Sequence, residues 1–267
     1  MHPKPTPTRI QRLFDGLKRQ NRAGLVAYLT AGDPCPEQTP ALVAALERGG
    51  VDLVELGVPF SDPIADGPVI QEAAERALRA GTTLRGVLEI ARQIRRDSEI
   101  PLVLFTYVNP ALRYGFDALA SDAKAAGIDG CLLTDVSVEE AAPYVNAMRG
   151  AGLDTVFLAA PTSTEARLKL VAQYSTGFVY LVSRTGVTGV REALADTLAP
   201  LAKRMRAATA LPLAAGFGIS TPEQAHDAAG MADAVVVGSA IVRRIGEGAT
   251  LEQLEEFART LAGAMRR

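Results

Sequence analysis

Cysteine and histidine are scarce in this chain of 267 residues, with two of each. Cys35 and Cys131 show no CxxC spacing, so no disulfide scaffold is expected, and the pair points to a reduced, cytoplasmic setting. Each is either a reactive thiol or, the far commoner case, a buried inert one. The histidines are His2 and His226. A histidine-based triad and a histidine-rich metal site are therefore not expected, and no metal ligand set is assigned. An excess of either charge is also missing. Lys and Arg number 28 against 30 Asp and Glu, for a net charge of −2. That balance argues against an electrostatic nucleic-acid surface. The short basic cluster Lys203-Arg204-Met205-Arg206 reads as the solvated face of a helix. The opening "MHPKPTPTRI" has no apolar h-region, so a signal peptide is not expected. No apolar run approaches the roughly 20 residues of a membrane helix, so no membrane span is expected. The composition that remains, 48% hydrophobic and 22% charged, is ordinary for a globular protein with a large core.

What is present is a recurrence. Short apolar runs appear at "GLVAYLT" (24–30), "VDLVELGV" (51–58), "PLVLFTY" (101–107), "GCLLTD" (130–135), "DTVFLAA" (154–160), "GFVYLVS" (177–183), "PLAAGFG" (212–218) and "ADAVVVGS" (232–239). They are nearly continuous in hydrophobicity rather than alternating, as strands buried on both faces are. Amphipathic segments such as "PEQTPALVAALERG" lie between them, so strand and helix alternate and the sheet is parallel. "RGGVDLVEL", "AAGIDGCLL", "GAGLDTVFL" and "AGMADAVVV" share one grammar: a glycine closes a helix, a turn carries an aspartate, and a strand begins. Eight such units predict a closed (β/α)8 barrel of the α/β class. An open doubly wound sheet is the rival, and the lack of a GxGxxG fingerprint counts against it.

Reactive groups of such barrels sit at the C-terminal ends of the strands and in the loops that follow. Glu55 lies near the end of the second strand, inside an apolar run. It is either a carboxylate paired with Lys or Arg inside the barrel or an acid–base group. The loop Phe60–Pro68 is longer than the usual βα connection of roughly two to six residues and carries Asp62 and Asp66. Asp62, before Pro63, reads as a turn former. Asp66, before Gly67, is either a turn former or a functional acid. Two carboxylates converging on one cleft suit proton traffic, one tuned towards neutrality and the other ionised. Gly216, Gly218, Gly238 and Ser239 close the last two strands, where many barrels bind phosphate through backbone N–H groups and a helix start. "SRTGVTG" (183–189) has the small residues of a lid. Tyr28, Phe105, Tyr107, Leu132, Leu158 and Tyr180 are candidates to line a pocket for a flat aromatic ligand, or else ordinary core. These observations alone describe a barrel enzyme acting on a phosphorylated small molecule through paired carboxylates.

The segment "ELGVPFSDPIADGPVIQ" resembles the signature of the tryptophan synthase α-subunit family. "YLTAGDP" (28–34), "FTYVNP" (105–110), "LLTDVSVEE" (132–140), "YLVSRTGVTG" (180–189), "AAGFGIS" (214–220) and "VVVGSAIV" (235–242) match in order and spacing over nearly the whole chain. The resemblance implies a single (β/α)8 TIM-barrel domain over residues 1–267 with an additional N-terminal helix. It implies retro-aldol cleavage of indole-3-glycerol phosphate to indole and glyceraldehyde 3-phosphate, in the cytoplasm. On that reading Glu55 is the general acid/base, and Asp66 accepts the indole N–H. Tyr180 borders the pocket and helps place Asp66 or the substrate. Tyr28, Phe105, Leu132 and Leu158 pack the indole, and Gly189, Gly218, Gly238 and Ser239 hold the phosphate. No cofactor is implied in this subunit. The implied partner is a pyridoxal-phosphate β subunit in an α2β2 complex, contacted near loop 60–68, the 109–112 turn and loop 183–189. Asp135 matches a position linked to closure of the loop after strand six. Two positions depart from the family pattern. Ser137 replaces a common proline, and Tyr28 stands where Phe is common, adding a hydroxyl that needs a partner if buried. The rival functions are a stand-alone lyase and a phosphate-ligand-binding subunit that activates its partner with little catalysis of its own.

Overall fold

The computed structural model describes residues 7–182 and 194–265. Eight parallel strands close into a barrel in sequence order: β1 (Gly24–Thr30), β2 (Leu53–Gly57), β3 (Leu102–Thr106), β4 (Gly130–Leu133), β5 (Asp154–Ala159), β6 (Val179–Val182), β7 (Leu213–Gly216) and β8 (Ala234–Val237). Each lies within one of the eight apolar runs. The ends are trimmed where neighbouring strands stop exchanging hydrogen bonds. β8 returns to β1 with Val26 opposite Val236, which closes the ring.

Alternation along each strand sorts the side chains. Val54, Leu56, Leu102, Leu104, Leu181 and Val235 point outward into the core shared with the surrounding helices. Val26, Leu53, Val103, Leu132, Val156, Ala214 and Val236 point inward and fill the barrel. Burial on both faces is why the runs show no polar alternation.

The N-terminal end of the barrel is plugged by α1 (Arg9–Arg19), whose Ile10, Phe14 and Leu17 join the interior cluster. Thr8 caps this helix: its side chain accepts from Gln11 N–H, and Gln11 reciprocates. Gly130 and Gly177 leave room for the plug, since a Cβ at either would sit 3.1 or 3.3 Å from Ile10.

The repeated turn aspartates belong to this same end. Asp52 accepts the Leu25 N–H at 2.8 Å, Asp129 the Leu102 N–H at 2.9 Å and Asp233 the Leu213 N–H at 2.8 Å. Each carboxylate thus ties the start of its strand to the start of the strand before it. Arg22, Arg95 and Arg206 pair with the three respectively. Asp154 instead accepts the Thr8 hydroxyl at 2.6 Å and holds the plug. The repeat is therefore structural, which leaves the opposite mouth for chemistry. Cys131 is buried and its thiol is pushed up to about 12 by desolvation, consistent with an inert side chain. No helix among the described residues is long and apolar enough to cross a membrane.

Candidate active site

Glu55 sits one inward position above Leu53 on β2, so its side chain enters the barrel above the apolar plug. It is 0% exposed. Neither carboxylate oxygen has a hydrogen-bond partner among the described residues, which sets aside the reading of a carboxylate paired with Lys or Arg. Removal from water disfavours the charged form, and burial raises its pKa to about 8. At neutral pH it is mostly a protonated acid with a proton to give.

Its neighbours are aromatic. Tyr28 is its register partner on β1. The Tyr28 ring lies across Gly57, where a Cβ would fall 2.2 Å from the phenol oxygen, and meets Phe105 edge-on at 5.0 Å. Tyr180 on β6 lies across Gly216 in the same way, with a Cβ there 2.5 Å from its ring. Both glycines are needed because each seats a tyrosine ring against the barrel wall.

Asp66 comes from the long loop, residues 58–67, between β2 and the helix Pro68–Arg79. Its backbone N–H donates to Pro63 O at 3.0 Å, forming a turn. Its carboxylate accepts the Tyr107 hydroxyl at 2.9 Å, and that hydroxyl accepts the Ala65 N–H at 3.0 Å. Tyr107 packs on Phe60 with ring centroids 5.2 Å apart, so the end of β3 braces the loop. Burial raises the Asp66 pKa and the Tyr107 hydrogen bond opposes the rise. Asp62 is exposed and bonded to Ser61, as a turn former is.

The charges of both acids reach the same two tyrosines. Burial pushes the Tyr28 and Tyr180 hydroxyls above the ordinary tyrosine range, and the charges of both Glu55 and Asp66 add to the rise at each. Among the described residues the hydroxyl holding Asp66 belongs to Tyr107 rather than to Tyr180. The clue was available in the sequence, since Tyr107 follows Phe105 by two and shares its inward face.

A cavity of about 140 Å³ opens at this mouth, lined by Tyr28, Phe105, Tyr180, Gly218, Gly238 and Ser239, with Ile70, Gly216, Ile219 and Val236. Leu132 lies beneath it in the interior core. Leu158 packs on that core but lines a neighbouring cavity with Thr134, Ser163 and Arg167. Gly218 has φ +67, the left-handed region suited to glycine, and a Cβ there would meet open space. Gly238 precedes the helix Ser239–Gly246; Ile241 N–H is the first to bond back, to Gly238 O at 2.9 Å, so the N–H groups of Ser239 and Ala240 have no acceptor within the helix, at the end that lines the cavity. Among the described residues the cavity lining carries no Lys or Arg. Backbone donors and the Ser239 hydroxyl are what these residues offer an anion. Gly189 and loop 183–189 lie outside the described residues. Asp135 accepts the Val108 N–H at 2.7 Å, at the start of the helix Val108–Tyr114. Ser137 bonds Glu139 within the turn that follows β4.

The chain matches the family model "Tryptophan synthase alpha chain" over residues 14–266. It is 69% identical over 258 residues to the tryptophan synthase alpha chain of Solibacter usitatus, covering 95% of this chain and 97% of that one. The counterpart from Geotalea uraniireducens is 51% identical over 240 residues, 90% of each chain. Among solved structures, Mycobacterium tuberculosis tryptophan synthase superposes with a TM-score of 0.91 at 39% identity, over 98% of this chain and 100% of that chain. The Legionella pneumophila tryptophan synthase subunit alpha gives 0.91 at 37% identity, over 97% and 99%.

Proposed function

The chain belongs to the tryptophan synthase alpha chain family, and from that membership we propose that it cleaves indole-3-glycerol phosphate to indole and glyceraldehyde 3-phosphate. The observation that carries the proposal is Glu55: a fully buried carboxyl without a partner among the described residues, facing the same tyrosines as Asp66.

Glu55 gives its proton to C3 of the indole ring. The ring nitrogen becomes positive, and the Asp66 carboxylate, accepting the N–H, stabilises that charge. Glu55, now a carboxylate, takes the proton of the glycerol hydroxyl next to C3. The carbon–carbon bond then breaks, its electrons restore the aromatic ring, and the hydroxyl carbon leaves as the aldehyde. One proton given and one taken return Glu55 to its starting state. Tyr28, Phe105 and Tyr180 hold the ring, Leu132 forms the floor, and Leu158 flanks it. Gly218, Gly238 and Ser239, with Gly189, hold the phosphate.

Indole, the apolar product, passes to a pyridoxal-phosphate β subunit in a cytoplasmic α2β2 complex, and this subunit contributes no cofactor. Surface chemistry supports a partner at this mouth. Ile64 and Leu112 are 84% and 57% exposed, and both lie in segments expected at the contact. A groove of about 600 Å³ between these segments is lined by Phe60, Leu78, Leu84 and Pro110.

Turnover of indole-3-glycerol phosphate by the purified chain, with and without a β subunit, tests the proposal. Slow release of indole that the β subunit accelerates is the expected result. Fast release by the chain alone indicates a stand-alone lyase. No release under either condition leaves a ligand-binding activator and overturns the enzymatic reading.

A further inference from the structure

Tyr28 carries a hydroxyl that the pocket wall does not need. The ring alone packs on Phe105 and Gly57, and phenylalanine would fill the same space. The phenol oxygen is inside the barrel, where an unpaired hydroxyl is costly. Its one described neighbour is the Thr30 hydroxyl at 3.5 Å, the outer limit of a hydrogen bond. Glu55 has the complementary problem. Both its oxygens lack a donor among the described residues, and on the lyase reading it spends part of each turnover ionised.

The strand register brings the two together. Tyr28 pairs with Glu55, and its ring leans over Gly57. Gly57 is two residues beyond Glu55 on the same face, a separation of roughly 6.6 Å along a parallel strand. The Glu55 side chain has two methylenes with which to climb towards Gly57, where the Tyr28 oxygen already sits. Of the other described groups that face Glu55, two offer no free donor and one is a second phenol, from a strand across the barrel. Val103, its partner on β3, is apolar. Asp66 is an acceptor held by Tyr107. Tyr180 approaches from β6 with its ring across Gly216.

We propose that the Tyr28 hydroxyl donates to ionised Glu55 and so acts as a positioning residue for the acid–base step. The inference rests on the lyase reading for its consequence in turnover, but the contact itself is testable without activity. A phenol donor favours the carboxylate form, so its removal makes Glu55 a weaker acid.

The experiment is a carbon-13 titration of glutamate-labelled protein, with the Glu55 carboxyl resonance assigned by its loss in Glu55→Gln. Tyr28→Phe should raise the Glu55 titration midpoint by about one pH unit or more, the scale of a hydrogen bond to a charged group. The limb of the kcat/KM profile governed by Glu55 should move by the same amount. Thr30→Val, which removes the other nearby hydroxyl, should leave the midpoint in place. An unchanged midpoint in folded Tyr28→Phe overturns the inference, as does an equal shift in Thr30→Val. Absence of turnover in the unaltered chain would count against the lyase reading alone, since the titration still reports on Tyr28 and Glu55.

Discussion

Glu55→Gln is expected to abolish nearly all indole release while leaving phosphate-ligand binding within a few-fold of the unaltered chain. The loss should be at least about 10³-fold in kcat, because one carboxyl both gives and takes the proton and the general acid–base contribution is lost at two steps. The amide has the same shape, cannot give a proton at C3 and cannot accept one from the glycerol hydroxyl. Steady-state kinetics and calorimetric binding of a substrate analogue separate the two effects. Turnover like that of the unaltered chain would refute the role of Glu55.

The same substitution has an opposite signature in stability. The folded pKa of Glu55 is raised to about 8 from an ordinary value of 4.5. Between those values the folded chain holds a proton that the unfolded chain has released. Stability contributed at this site is therefore fully present below about pH 4.5 and is lost as pH rises through about 8, by a few kcal/mol in total. Glutamine has no such dependence. Relative to the unaltered chain, Glu55→Gln should gain thermal stability between about pH 5 and pH 8 and level off above that. Parallel melting curves across that range would show that Glu55 is not desolvated in the folded protein.

Asp66→Asn is the second large effect, with kcat expected to fall roughly 10²- to 10³-fold, the cost of losing one charge-stabilising group. Asparagine can still accept the Tyr107 hydroxyl, and the turn is closed by the Asp66 backbone N–H on Pro63, which the substitution does not touch. Loop geometry is thus preserved while the negative charge beside the indole N–H is removed. Full activity in Asp66→Asn would assign Asp66 to turn formation. Because Glu55 and Asp66 act on one bound ring, the double variant should lose much less than the product of the single losses.

The barrel was legible in the sequence because strands buried on both faces leave unbroken apolar runs. Glu55 stood out as a carboxylate with apolar neighbours on both sides, near a strand's C-terminal end, and Asp66 through the length of its loop. The repeated Gly–turn–Asp grammar gave the unit size but not its purpose. That Asp52, Asp129 and Asp233 clamp neighbouring strand starts follows from contacts between units, which one unit's sequence does not contain. Tyr107 stood among the pocket candidates, but its brace on Asp66 joins the residue just after β3 to the loop after β2, a contact that neither unit's sequence contains alone. Gly216 read as part of a glycine turn for phosphate, and the tyrosine rings that lie across Gly57 and Gly216 are contacts between strands that one strand's sequence does not contain. Leu132 and Leu158 entered as apolar candidates and through the family resemblance; the structure buries Leu132 in the interior cluster and sets Leu158 at a neighbouring cavity, a distinction of depth that apolar character does not carry.

The most direct test of the central claim is a structure of the chain with a non-cleavable indole-3-glycerol phosphate analogue. The account predicts the indole N–H on Asp66, the Glu55 carboxyl at C3, and the phosphate at Gly218, Gly238 and Ser239. An analogue bound with its phosphate at the α1 end of the barrel, or with Glu55 and Asp66 on separate ligand groups, would contradict it.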